Sequence, residues 1–160
     1  QKTAKEKLDY REMIRNEYCY PCGDEVIDYG FIEKFIMELP KKYGVNIRQV
    51  GYDRYNAIST VQKLEAAEIE CVEIKQHSSV LHPATKLLKE KILSKQFRYE
   101  PNRLLEINFQ NARCAEDTNL NKYVNKKKSA GKVDMVVALI NAVYLIQQEE
   151  LYGSNFVVQY

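Results

Sequence analysis

The sequence predicts an α/β fold on three observations: an amphipathic helix runs straight into an apolar stretch ending in an acidic residue, a second helix and strand follow at once, and no internal repeat or Pro/Gly/Ser-rich linker divides the chain. Helix, strand, helix, strand in close succession favours a sheet joined by crossover helices. The first helix gathers Phe31, Ile32, Phe35, Ile36 and Leu39 on one face, with Asp28 able to cap its start and Pro40 and Gly44 marking its end. Val45, Ile47 and Val50 then read as a short strand that runs out at Gly51-Tyr52-Asp53. Ile58, Val61 and Leu64 at spacing three give the next helix, and Ile69, Cys71, Val72 and Ile74 the next strand.

Beyond Gln76 the pattern turns helical. Pro83 suits a first helical turn, and Leu87, Leu88 and Ile92 share a face before Lys95. The stretch from Asn102 to Arg113 holds Leu104, Leu105, Ile107 and Phe109 at a period that fits helix and strand equally. Cys114 to Lys132 is polar, with Asn119, Asn121, Asn125, Ser129 and Gly131, and predicts a long loop, which in a small domain is more often functional than idle. Val133, Val137, Ala138, Ile140, Ala142 and Leu145 belong to an apolar helix reaching Tyr152, with Asp134 in the first turn, where the helix dipole favours a negative charge.

A chain of 160 residues fits one domain over 1–160, enough for a single core. Its 45% hydrophobic and 29% charged residues are those of an ordinary globular protein, and a net charge of +2 argues neither for nor against nucleic acid. No apolar run approaches a membrane span and residues 1–20 lack the core of a secretory signal, so the expected location is the cytoplasm, with no membrane partner. The opening at Gln1, without a methionine, is what a fragment of a longer protein would show.

Two aspartates carry the chemical argument. Asp53 stands at the carboxyl end of a predicted strand, where ligands gather in open α/β sheets, and Asp134 at the start of a predicted apolar helix. Magnesium and manganese take hard oxygen ligands and need only one or a few carboxylates, because they keep several waters. Two aspartates held together would repel, and a divalent cation would relieve that repulsion while activating water for phosphodiester hydrolysis. Taken singly, an aspartate after a strand also serves as a turn former and one at a helix start as a cap. Lys122, Lys126, Lys127, Lys128 and Lys132 concentrate positive charge just before Asp134, and such lysines would supply sequence-independent phosphate contacts or simply solvate a loop. Cys19-Tyr20-Pro21-Cys22 has the spacing of a redox pair or half a zinc site, but no second close pair completes a zinc site. His77 and His82 receive no role, and the twelve tyrosines are spread out rather than clustered for stacking.

Five stretches in one order carry a family likeness: Pro21-Cys22-Gly23-Asp24-Glu25-Val26-Ile27-Asp28-Tyr29, Val50-Gly51-Tyr52-Asp53-Arg54-Tyr55-Asn56-Ala57, Val72-Glu73-Ile74-Lys75-Gln76, Asn111, and Lys126 to Asp134 with Val137-Ala138-Leu139-Ile140. The chain resembles the carboxyl-terminal nuclease domain of the large terminase subunit of tailed bacterial viruses, free or as prophages. The resemblance implies a ribonuclease H-like mixed sheet flanked by helices, truncated at the N-terminus, and a nuclease that cuts concatemeric double-stranded DNA during packaging with Mg2+ or Mn2+ as cofactor. It places the metal-binding, catalytic acids at Asp53 and Asp134, and makes Gln76 and Asn111 supporting residues. Lys126, Lys127, Lys128 and Lys132 become the expected DNA contacts. The small terminase subunit and the portal protein are the implied partners, inside a bacterial host cell. The family has a further aspartate on a first strand, and residues 1–30 show no matching strand-borne acid. Nor does any Gly-rich loop ending in Gly-Lys-Ser/Thr appear, so no packaging-motor activity is expected of these residues. A different class of function, a non-catalytic module docking the machine onto DNA or the portal, fits the same residues.

Overall fold

Capping chemistry bounds the first long helix as its sequence predicts. In the computed structural model, which describes residues 8–152, the elements are α1 (Tyr10–Arg15), α2 (Tyr29–Tyr43), β1 (Val50–Tyr52), α3 (Ile58–Ala66), β2 (Cys71–Glu73), α4 (Ser78–Leu93), α5 (Arg103–Asn111), β3 (Cys114–Glu116), β4 (Lys122–Val124) and α6 (Asp134–Tyr152). Residues 1–7 and 153–160, part of the expected 1–160 domain, lie outside the described residues. The chain divides into two units, one of Gln1–Cys19 with Gln76–Tyr160, the other Tyr20–Lys75.

In the unit Tyr20–Lys75, the Asp28 carboxylate accepts the Phe31 N–H at 3.1 Å to open α2, and Gly44 closes it at φ 63° by donating its N–H to the Pro40 carbonyl. The left-handed turn is one that glycine adopts without a Cβ penalty. Pro40 therefore stands inside the last turns rather than beyond the end. The next strand begins only at Val50, later than the apolar stretch suggests, because residues 45–49 find no ladder and Val45 stays 46% exposed. β1 pairs in parallel with β2, Val50 opposite Cys71, Gly51 opposite Val72 and Tyr52 opposite Glu73, with α3 as the crossover. Val61 and Leu64 on the inner face of α3 and Ile74 just after β2 are buried. Glu33 fastens α2 to α3: it accepts Thr60 Oγ1 at 3.0 Å and Lys63 Nζ at 2.8 Å, and the Lys63 ammonium holds its carboxyl below the usual range.

The other unit is a helical layer with a hairpin. α4 and α6 pack along each other, with Leu81, Ala84 and Leu88 meeting a core that includes Val136, Ile140 and Leu145, while α5 adds Leu104 and Leu105. The ambiguous stretch after Asn102 is thus a helix, opened by the Asn102 side chain accepting the Leu105 N–H at 3.0 Å. α4 starts at Ser78 with His77 as its cap, so Pro83 falls in the helix interior rather than the first turn, costing one ladder bond near exposed Ser79.

Residues 114–132 are not all loop. β3 and β4 form an antiparallel hairpin with Cys114 opposite Val124, Ala115 opposite Tyr123 and Glu116 opposite Lys122. Its turn is organised by Asp117, whose Oδ1 accepts the N–H groups of Asn119 (2.8 Å) and Asn121 (2.9 Å) and whose Oδ2 accepts Ser78 Oγ (2.6 Å) and Asn121 Nδ2 (3.0 Å). With the Ser78 hydroxyl foremost, these donors hold the carboxyl far below its ordinary range. His82 Nδ1 accepts the Lys122 N–H at 2.7 Å, so α4 holds both the turn and a strand. Strands of three residues are too short for alternation to show, which is why polarity alone misleads here.

The α/β character is as expected. The described residues contribute two ladders of two strands each, one parallel and one antiparallel, and β1 is the first strand among them. No helix among them is long and apolar enough to cross a membrane.

Candidate active site

An α-helix leaves its first N–H groups without intrahelical partners, and a residue ahead of the helix commonly supplies one. α6 opens at Asp134 behind Val133, an apolar residue only 2% exposed that has no acceptor to offer. The acceptor comes instead from α5: the Asn108 Oδ1 takes the Met135 N–H at 3.2 Å, while its Nδ2 donates to the Leu104 carbonyl at 2.9 Å. Asn108 is 3% exposed and both ends of its amide are used.

One turn further along α5, Asn111 grips the segment leading into Asp134. Its Nδ2 donates to the Lys132 carbonyl at 3.1 Å, and its own carbonyl accepts the Ala130 N–H at 3.0 Å. Between these two bonds sits Gly131, where a Cβ would stand 2.7 Å from Asn111 Nδ2, so the close approach requires glycine. Asn111 thus holds the backbone of the segment that leads into Asp134.

The lysines lie on an ordered turn. Asn125 Oδ1 accepts the N–H groups of Lys127 (3.0 Å) and Lys128 (3.1 Å), and the Asn125 N–H donates to the Arg113 carbonyl at 2.9 Å. Lys126, Lys127, Lys128 and Lys132 are all exposed. Lys126 Nζ reaches Asp134 Oδ1 at 3.1 Å, with both side chains 63% exposed, so the pair is hydrated and worth little to stability. Asp134, Lys126, Lys132 and Asn111 therefore come together within one unit. Gln76 joins the same helix two turns later: its Nε2 donates to Asn141 Oδ1 at 3.3 Å, and Asn141 shares the face of α6 that carries Asp134.

Asp53 belongs to the other unit. It follows β1 directly, is exposed, and its Oδ1 accepts the Tyr55 N–H at 3.4 Å in a turn that passes through Asn56 at φ 57° into α3. A parallel strand followed by a turn and crossover helix is what puts an acid at the strand's carboxyl end.

As donors, Asp53 and Asp134 fit a hard divalent cation. Both are exposed carboxylates, and each keeps a second oxygen uncommitted to protein donors among the described residues. No cluster of three or more His, Cys, Asp or Glu side chains that could hold a metal occurs among those residues. The cysteines offer nothing comparable. All four are free, the Cys19 thiol is pushed up by burial where redox use needs it lowered, and Cys22 Sγ donates to the Asp28 carbonyl at 3.1 Å.

Sequence reasoning missed Asn108 and Asp117. The signal for Asn108 was an amide amid Leu104, Leu105, Ile107 and Phe109, a polar residue on what proves to be a buried face. Asp117, in the Asp117-Thr118-Asn119 run, was readable as an Asx turn.

Residues 1–150 match the family described as the terminase large subunit, endonuclease domain. Among solved structures, the crystal structure of the HK97 bacteriophage large terminase is similar in fold, with a TM-score of 0.80 and 21% sequence identity. The match covers 90% of this chain and 30% of that one, so the chain spans under a third of that terminase's length. No curated protein matches.

Proposed function

The chain belongs to the endonuclease-domain family of terminase large subunits, and on that premise we propose that it is the metal-dependent part of a packaging nuclease that cuts concatemeric double-stranded DNA. The observation that most supports this reading is the setting of Asp134: an exposed carboxylate at the head of a helix that buries Val136, Ile140 and Leu145, with its backbone gripped from α5 and four exposed lysines in the segment before it. An acid with only a capping role would not need that company.

In this reading Asp53 and Asp134 are the carboxylates that bind Mg2+ or Mn2+ through their free oxygens, and the nuclease domain spans residues 1–160. The parallel β1–β2 pair is its share of a ribonuclease H-like sheet, with Asp53 at the edge where such sheets place ligands. When bound, the ion supplies an activated water and stabilises the leaving oxygen. The chain's own residues do the rest. Lys126, Lys127, Lys128 and Lys132 neutralise backbone phosphates without reading sequence, an affinity that falls with salt. Lys126 has two partners available to it, the Asp134 carboxylate and a DNA phosphate, and exchange between them costs little because the ion pair is exposed. Asn111 and Gln76 keep the loop and the helix face in place. Contacts with the small terminase subunit and the portal, in the cytoplasm of a bacterial host, belong to the same proposal.

The test uses the terminase subunit that carries this chain. Asp53→Asn and Asp134→Asn are each expected to reduce plasmid cleavage in Mn2+ by about 100-fold or more, beyond the loss usual for groups outside the coordination sphere. Undiminished cleavage by both variants rejects the assignment and leaves a docking module as the account of these residues.

A further inference from the structure

The Asp134 carboxylate is 63% exposed, so no packing around its side chain fixes where it points. Beyond the hydrated ion pair with Lys126, what restricts it acts on the backbone. The Met135 nitrogen belongs to the peptide unit that follows the Asp134 Cα, and its hydrogen bond to Asn108 Oδ1 at 3.2 Å pins that peptide plane, hence the direction in which the Asp134 Cα–Cβ bond leaves the helix. Asn108 is able to act as a fixed point because it is 3% exposed and its Nδ2 is tied to its own helix at the Leu104 carbonyl. The Val133 side chain has no acceptor to do this; the partner comes from 27 positions away.

We infer that Asn108 is the positioning residue for Asp134, an amide strut from α5 that aims the metal-binding carboxylate at the head of α6. The inference rests on the proposed metal role of Asp134. An ordinary core asparagine would contribute stability alone, whereas a strut of this kind sets affinity for the ion, because a carboxylate free to swing pays an ordering cost on every binding event. A leucine at 108 fills the space but cannot accept the Met135 N–H. An alanine removes the acceptor as well, without the bulk of leucine.

The measurement is Mn2+ affinity of the 160-residue chain by electron paramagnetic resonance titration, read beside the thermal midpoint. Asn108→Leu is expected to weaken binding by about tenfold. Asn108→Ala is expected to weaken it by a similar factor, since the acceptor is lost there too. Leu145→Ala, buried further along the same helix, lowers the midpoint and leaves affinity unchanged, which separates positioning from loss of stability. Asp134→Asn calibrates the site. If that variant binds Mn2+ as tightly as the unsubstituted chain, the site reading falls and the strut with it. If Asp134→Asn loses affinity while Asn108→Leu keeps it, the strut alone is overturned. Should Asn108→Leu not fold, Asn108→Ala decides: affinity equal to that of the unsubstituted chain overturns the inference.

Discussion

The two aspartates stand in contrasting settings. Asp53 is held by its immediate neighbours, through a strand of three residues, a turn bond to Tyr55 and a crossover helix. Asp134 is held by residues remote in sequence, with Asn108 on the following peptide, Asn111 on the preceding loop and Lys126 on the carboxylate itself. An acid placed by local geometry depends on the packing beneath its strand, while one placed by amides from another helix depends on hydrogen bonds that a single atom can break. The contrast separates two kinds of vulnerability.

The largest effect is expected on the Asp53 side. Leu64, 1% exposed on the crossover helix, has no polar network to fall back on, so Leu64→Ala should cost about 2–5 kcal/mol in chemical denaturation. A loss below about 1 kcal/mol, the level of a single hydrogen bond, would mean that the strand pair stands on something other than packing. On the Asp134 side, Gly131→Ala forces the Asn111 amide off the Lys132 carbonyl, at about 1 kcal/mol for the lost bond. Its signature is faster hydrogen exchange at the Ala130 amide, and unchanged exchange would remove Asn111 from the support of the loop.

The smallest effect, and the sharpest, comes in acid. Among the described residues each unit has a carboxylate held below its ordinary range: Glu33 chiefly by the Lys63 ammonium, Asp117 chiefly by the Ser78 hydroxyl and neutral amides. Both folded values lie below the ordinary 4.5 and 3.8, so each group contributes stability above its ordinary value and loses it as the pH falls through the lowered one. Salt distinguishes them. Screening weakens the exposed end of the Glu33–Lys63 pair and leaves hydrogen bonds from neutral donors nearly untouched. The acid-range slope of stability should therefore shrink with added salt in an Asp117→Asn variant and persist in a Glu33→Gln variant, as followed by thermal midpoints between pH 5 and pH 2. Equal salt sensitivity in both would show that the two regions are held by the same kind of force.

Much of this was readable from residues alone wherever the determinant was local. Asp28 and Gly44 cap a helix because their side chain or their lack of one acts within four residues, and Ile58, Val61 and Leu64 announce a helix by spacing. Three-residue strands carry too few positions to show a period, so β3 and β4 were hidden in a polar run and β1 was placed too early. The period of 102–113 was likewise indecisive until packing against α6 made it a helix.

The sequence by itself determined the succession α2, β1, α3, β2, α4 and the final helix α6, and the family, because caps and periodicity act over a turn or two of chain. Only the tertiary structure decided that Asn108 caps a helix it does not belong to, that Asn111 reaches Lys132, and that Asp117 bonds Ser78 across 39 positions. The reason is physical. A buried amide must satisfy both its donor and its acceptor, and which distant backbone group comes within hydrogen-bonding range is settled only when the helices have packed.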